Sequence, residues 1–127
     1  MAYVYYNPNP GGLNAGDCTV RAIAAATGQS WEKTYTDLAL HGFVLHDMPS
    51  ANRVWGAYLR QLGFRRAILP EDALDGYTVA EFAHDHPYGT YILALSGHVV
   101  CVVDGDYLDT WDSGGEIPIY YWSREGW

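Results

Sequence analysis

Cys18 is the first residue of this sequence whose type and position suggest chemistry. It stands where a glycine-bearing loop gives way to the alanine-rich run 22–26, which favours helix, and Asp17 before it is a good N-cap. Cys18 is therefore predicted to lie in the first helical turn. Unpaired N–H groups and the helix dipole there favour a thiolate over a thiol. The alternative interpretation is a small buried side chain without chemistry.

A nucleophilic thiol requires a base and a group that orients the base. His98 opens an apolar run, 98–103, and Asp109 lies in the next, 107–111; Asp104-Gly105 between them is a two-residue hairpin signal. In that register position 98 faces 111 and position 100 faces 109, so Asp109 is a diagonal neighbour of His98 on one face of the sheet. Thiol, histidine and carboxylate are the parts of a thiol hydrolase.

The elements that must position these side chains are predicted to be helices first and strands second. Helices are predicted from Cys18 to about Thr27, from Trp31 to about Leu40 with His41-Gly42 as its end, around 54–62, and after a Thr78–Glu81 capping box. Predicted strands are 3–6, 64–69, 91–95, 98–103, 107–111 and 117–122. This order predicts one α+β domain, residues 1–127, with N-terminal helices packed on a C-terminal antiparallel sheet.

Three local motifs together resemble the papain-like cysteine peptidase superfamily, including its small bacterial and phage members. They are Asp17-Cys18 leading into a helix, Ser96-Gly97-His98-Val99-Val100 at a strand start, and Asp109-Thr110-Trp111-Asp112, which is similar to the Asn-Ser-Trp-Gly of the family. The resemblance covers about residues 7–112 in the family's order. It implies a papain-like fold and cleavage of a peptide, isopeptide or related acyl bond by Cys18, His98 and Asp109.

One position departs from the family pattern. The family places a glutamine six residues before the cysteine, where its amide helps to bind the oxyanion, and this chain has Gly12 there. Asn14 is the alternative amide donor, acting with the Cys18 backbone N–H. Losing one oxyanion donor typically costs on the order of a hundredfold or more in rate. A catalytically weak or inactive papain-like module that binds or inhibits, for instance a phage protein acting on a host factor, is therefore the second hypothesis.

The charge balance excludes some partners. Seven Lys and Arg against fifteen Asp and Glu give a formal charge of −8, which argues against nucleic acid and favours a basic or neutral polypeptide as substrate or protein partner. No signal peptide and no run of transmembrane length is found, so we expect a cytoplasmic protein without membrane association, in which Cys18 and Cys101 are thiols.

Other residues with possible chemistry receive structural interpretations. His84 and His86 are the obvious metal ligands, together with His98 and a cysteine, but residues two apart diverge on a helix and no Cys-x-x-Cys pair occurs. No metal or other cofactor is predicted. Cys101 lies among valines and is expected in the core, where Trp31, Trp55 and Trp111 are also expected. Asp112 is assigned a cap or turn role.

Overall fold

A mixed β-sheet with helices on both faces organises the computed structural model, which describes residues 2–69 and 76–124. Within these ranges the helices are α1 (Cys18–Thr27), α2 (Trp31–Leu45), α3 (Asn52–Gln61) and α4 (Val79–Asp85). The strands are β1 (Tyr3–Tyr5), β2 (Arg65–Ile68), β3 (Thr90–Leu95), β4 (His98–Val103), β5 (Asp106–Asp109) and β6 (Tyr120–Ser123). The α+β class predicted from the sequence is confirmed.

The sheet has the strand order β1-β5-β4-β3-β6-β2. All neighbours are antiparallel except β1, which pairs in parallel with β5. The prediction of a C-terminal antiparallel sheet is therefore wrong for β1, an edge strand that comes from the N-terminus and pairs in parallel, and the other edge strand, β2, comes from the middle of the chain. Parallel pairing leaves no hairpin signal in a sequence, because its partners are joined by a long crossover.

Two apolar cores lie on opposite faces of the sheet. Helices α1, α2 and α3 cover one face around Ile23, Trp55 and Trp122, and α4 covers the other through Phe82. The capping box that starts α4 is confirmed, since the Glu81 N–H donates to Thr78 Oγ1 at 3.2 Å. Alternate residues of β3 and β4 point into the two cores, which is why both strands read as continuous apolar runs.

The predicted hairpin between β4 and β5 is confirmed in its register. Cys101 pairs with Leu108 and Val103 with Asp106, which extends to position 100 facing 109 and 98 facing 111. Asp104 and Gly105 both have positive φ, 48° and 85°, as a type I′ turn requires. Strand β5 ends at Asp109, so the prediction that it runs on to Trp111 is wrong.

Helix α2 is longer than predicted, because it runs through His41-Gly42 to Leu45 and ends at His46 in the left-handed conformation (φ 57°, ψ 44°). Gly42 is buried, and a Cβ at this position would lie 2.7 Å from the Asp47 carbonyl oxygen. The glycine therefore permits the chain to return closely against the helix, whereas sequence reasoning assigned it as a helix end.

The burial of the tryptophans differs in part from the prediction. Trp55 is in the core at 1% exposure, as expected, and Trp31 is half-buried, but Trp111 is 45% exposed, so its assignment to the core is wrong. Cys101 is fully buried as predicted, and burial raises the pKa of its thiol. In the described ranges no helix is long and apolar enough to cross a membrane.

Candidate active site

Cys18 is the first residue of α1 and is half-buried, as the sequence predicts. Asp17 occupies the N-cap position, but its side chain does not cap the helix. Its two carboxylate oxygens instead bind Arg21 Nη1 and, at 2.8 Å, Trp31 Nε1. The start of the helix is thus free of a capping side chain, and its dipole favours a negative charge at Cys18.

His98 and Asp109 meet as diagonal neighbours across the β4–β5 pair. His98 opens β4, Asp109 ends β5, and His98 Nε2 lies 2.6 Å from Asp109 Oδ2. With Nε2–H donated to the carboxylate, Nδ1 is the ring nitrogen available to the Cys18 thiol. The Asp109 side chain is 1% exposed and that of His98 14% exposed, so the pair is largely shielded from water.

The directions of the pKa shifts of the three residues favour the charged forms of the thiol and the ring. Burial alone would raise the pKa of Cys18, but hydrogen bonding and the charge of His98, with the Val99 N–H, lower it. Burial would lower the pKa of His98, yet Asp109 and Cys18 raise it to about 9. Burial would raise the pKa of Asp109, but hydrogen bonds from His98 and Ser113 hold it below its usual value. The two shifts together favour the thiolate–imidazolium pair over the thiol and the neutral ring.

Asp109 is held by partners from four other parts of the chain. Its Oδ1 accepts from Arg21 Nη2 at 3.1 Å and from the Thr110 N–H at 2.8 Å, and its Oδ2 also accepts from Ser113 Oγ at 2.8 Å. Its backbone carbonyl accepts from the Tyr6 N–H at 2.9 Å. Because both oxygens are occupied, the carboxylate cannot rotate away from His98.

Arg21 is the site residue that sequence reasoning missed. It is 5% exposed, one helical turn after Cys18, and its guanidinium binds both Asp17 and Asp109. The sequence does carry a signal for this role: Arg21 is an isolated arginine on a helix whose other residues are mostly small and apolar. A charged side chain on such a helix is buried only when it has partners of opposite charge. Ser113 was also missed, and nothing in its sequence context marks it.

Two adjoining clefts meet at Cys18 and His98. One, of about 440 Å³, extends over Ser50, Trp55 and Tyr120, and the other, of about 400 Å³, extends over Asn14 and Trp111. The centroid of the Trp111 ring lies 5.0 Å from that of the His98 ring, with an interplanar angle of 42°. An extended chain could therefore pass over the sulfur with contacts on both sides.

The predicted oxyanion residue lines a cleft that also contains the thiol. Asn14 is exposed and lines the same cleft as Cys18 and His98. Gly12 adopts φ 65° in a turn closed by its N–H to the Asn9 carbonyl at 2.9 Å, and it carries no side chain into the cleft. The groups available to an oxyanion here are therefore the Asn14 amide and the backbone N–H of Cys18.

The histidines considered as metal ligands have other contacts. The ring of His86 stacks on Phe82 at 3.8 Å, and its Nδ1 lies 2.7 Å from the Phe82 carbonyl. In the part of the chain that the structure describes, no three His, Cys, Asp or Glu residues are grouped to hold a metal ion. Asp112 accepts from Tyr107 Oη at 2.7 Å and from the Gly114 N–H at 3.0 Å, which is a turn role.

Of the four site residues predicted from the sequence, the structure brings Cys18, His98 and Asp109 together, and Asn14 lines one of the two clefts that contain Cys18 and His98. Comparisons of the chain with protein-family models, curated proteins and solved structures find no match. The evidence for a function of this site is therefore its own geometry and charge.

Proposed function

We propose that this protein is a thiol hydrolase of the papain-like type, which cleaves a peptide, isopeptide or related acyl bond. The observation that carries the proposal is the Cys18–His98–Asp109 arrangement. A cysteine with a lowered pKa at a helix start interacts with a histidine, and a buried carboxylate holds that histidine at 2.6 Å. The papain-like fold is part of the same proposal, supported by the order of the three residues and by their places on α1, β4 and β5.

The reaction would proceed in two stages. The Cys18 thiolate attacks the acyl carbon, and the oxyanion that forms is stabilised by the Cys18 N–H and the Asn14 amide. His98 gives its proton to the leaving amine, which departs and leaves a thioester on the sulfur. His98, now neutral, then takes a proton from water, the hydroxyl adds to the thioester, and the acid is released as the thiol is restored.

Alkylation by iodoacetamide tests the activated thiol without knowledge of the substrate. We expect Cys18 to react at neutral pH faster than a cysteine of the unfolded chain, because only the thiolate is alkylated. Cys101 is an internal control in the same molecule, since it is fully buried with a raised pKa. Mass spectrometry of the digested protein measures the two sites separately.

Two histidine variants separate a specific effect from a general one. His98→Ala is expected to remove the rate advantage of Cys18, whereas His84→Ala, at an exposed residue of α4, should keep it. Cys18 reacting no faster than an unfolded cysteine, with no change in His98→Ala, would contradict the proposal. Formation of an acetyl-thioester on Cys18 from p-nitrophenyl acetate, absent in Cys18→Ala, tests the acyl transfer itself.

Gly12 favours a second candidate function, that of a papain-like module that binds a protein but hydrolyses slowly or not at all. The position of the family's glutamine carries no side chain, and a reactive thiol without a sufficient oxyanion site would turn over little. Alkylation of Cys18 without any acetyl-thioester would favour this candidate. Equal biological potency of wild type and Cys18→Ala would favour it further.

A further inference from the structure

Three arginines line one open pocket at the end of α3 and the start of β2. The pocket has a volume of about 500 Å³, and its walls include Arg60, Arg65 and Arg66, all of them exposed. They are three of the seven basic residues in a chain of net charge −8. Such a concentration of positive charge creates a local field opposite in sign to that of the whole molecule.

These arginines differ from other cations of the protein in lacking carboxylate partners. Arg21, Lys33 and Arg53 each form an ion pair with an aspartate at 3.1 Å or less. Among the described residues none of the three pocket arginines has a carboxylate within ion-pair distance. Their guanidinium N–H groups are thus available to an external anion.

Two of the guanidinium groups rest on aromatic rings. The Arg60 Cζ lies 5.1 Å from the Trp122 ring centroid, and the Arg66 Cζ lies 5.2 Å from that of Tyr120. A ring face holds a guanidinium in place while its N–H groups remain free for bidentate bonds to a carboxylate. The two groups therefore lose little conformational freedom when an anion binds.

Aromatic rings connect the arginine pocket with the Cys18 cleft, because Arg66 of the pocket rests on Tyr120 of the cleft. Trp55 and Tyr120 line the cleft, and their rings are stacked at 6.5 Å with an interplanar angle of 6°. Trp55 also meets Trp122 edge-on at 6.1 Å. Arg66 therefore lies against a ring of the cleft, and Arg60 lies against Trp122, two residues after Tyr120 on β6.

We propose that Arg60 and Arg66 bind the carboxylates of an acidic segment of the polypeptide substrate, next to the bond that Cys18 attacks. Assigning the segment to a substrate rests on the proposed function, whereas carboxylate binding does not. A nucleic acid is disfavoured because three cations neutralise only about three phosphates against the repulsion of a molecule of net charge −8. Because of the local field of the pocket, we expect an acidic segment in the substrate instead of the basic or neutral polypeptide that the overall charge predicts.

Fluorescence anisotropy with Cys18→Ala protein tests this binding without turnover. The probes are two labelled Gly/Ser peptides, one with a run of glutamates and one with glutamines at the same positions, at low salt. We expect the glutamate peptide to bind roughly tenfold more tightly or better. The double variant Arg60→Gln with Arg66→Gln should reduce the affinity for the glutamate peptide to that for the glutamine peptide. Lys33→Gln removes one positive charge from α2, outside the pocket, and should keep the preference.

Arg60→Lys with Arg66→Lys retains the positive charges and should keep part of the preference, and thermal unfolding of each variant shows whether the protein is folded. Equal affinity for the two peptides, or an equal loss in Lys33→Gln, would overturn the inference. Tighter binding of single-stranded RNA that depends on Arg60 and Arg66 would overturn it as well, by assigning the pocket to phosphates.

The two proposals fail in different measurements. Alkylation of Cys18 at the rate of an unfolded cysteine, with the glutamate preference intact, would contradict the hydrolase and support the carboxylate site. An activated Cys18 without any glutamate preference would contradict only the carboxylate site. Alkylation uses the wild-type protein and anisotropy uses Cys18→Ala, and the two readouts are independent because the residues that line the pocket lie outside the Cys18–His98–Asp109 contacts.

Discussion

Charges of opposite sign follow one another through the site, from Asp17 to Arg21, Asp109, His98 and Cys18. Each interior member lies between two groups of the other sign, which offsets part of the cost of burying it. Asp17 precedes the nucleophile directly, and its negative charge would oppose a thiolate. The Arg21 guanidinium compensates that charge, so the thiol responds mainly to His98.

Asp109→Asn is expected to lower the pKa of His98 by about 1–3 pH units, because it removes the opposite charge that favours the imidazolium. The wild-type pKa is raised to about 9, so the ring should be charged at neutral pH and lose its proton near pH 9. NMR titration of the His98 ring measures both values. The matched control is Asp112→Asn, three residues further on, whose carboxylate binds Tyr107.

The control should leave the titration of His98 unchanged. A wild-type His98 that titrates near 6.5, its ordinary value, would contradict the ion pair. A shift of equal size in the Asp112→Asn protein would show that the effect is not specific to Asp109.

Arg21→Met is expected to destabilise the protein by about 3–5 kcal/mol, because it leaves Asp17 and Asp109 buried without their shared cation. Urea unfolding followed by circular dichroism measures the change. Arg53→Met is the comparison: its pair with Asp47 is more than half exposed on the arginine side and should cost only about 0–1 kcal/mol. Similar losses in the two variants would show that Arg21 contributes as a surface residue does.

At the scale of elements, α2 shows how the chain outside a helix decides where the helix ends. The sequence motif His41-Gly42 is a normal stop signal, yet the helix continues. Leu38, on the inner face of α2, lies in the same core as Trp55 of α3, and the loop 46–51 returns across Gly42. The missing Cβ gives the Asp47 carbonyl room to approach. Local propensity favours a stop here, and tertiary packing overrides it.

The variant Gly42→Ala therefore tests whether the higher helix propensity of alanine or the steric clash of its Cβ has the larger effect on stability. In an open helix the substitution would stabilise by roughly 1 kcal/mol. Here the new Cβ would lie 2.7 Å from backbone oxygen of Asp47, so we expect a net loss of stability by urea unfolding. Thr36→Ala, at an exposed position of the same helix, should be neutral or slightly stabilising. A stabilised Gly42→Ala protein would contradict the close approach.

Features that depend on local sequence could be predicted, whereas features that depend on tertiary packing could not. The β4–β5 register was predictable because Asp104-Gly105 is a local signal, and this register alone places Asp109 beside His98. The roles of Arg21 and of β1 were not predictable, because Arg21 pairs with Asp109 and β1 pairs with β5, both far along the chain. Trp111 was assigned to the core by residue type, but the strand ends two residues before it and its ring lies exposed over His98.

At the scale of the whole molecule, the N-terminal strand completes the site. Strand β1 pairs with β5 up to Tyr5 opposite Asp109, and the next residue donates its N–H to the Asp109 carbonyl at 2.9 Å. Tyr3 Oη donates to the same carbonyl at 3.2 Å. The residue that orients His98 is thus held by a segment that precedes Cys18.

Tyr6→Pro removes the backbone donor to Asp109 and is expected to slow the alkylation of Cys18, because Asp109 and therefore His98 become less firmly held. The associated loss of stability should be about 1 kcal/mol. Tyr5→Ala keeps the backbone bonds and alters an outward side chain, 66% exposed, so its alkylation rate should match wild type. Unchanged reactivity in Tyr6→Pro would show that β5 holds Asp109 unaided.

The β1–β5 pairing also sets when the sulfur becomes reactive during folding. Tyr3 and Asp109 are 106 positions apart, and contacts between such distant residues form late because a long loop must close first. Cys18 is synthesised well before His98 and Asp109, so we expect the effect of His98 on its pKa only after α1 has packed against β4. In refolding experiments the fast alkylation of Cys18 should therefore recover after the helical signal, and it reports completion of the fold.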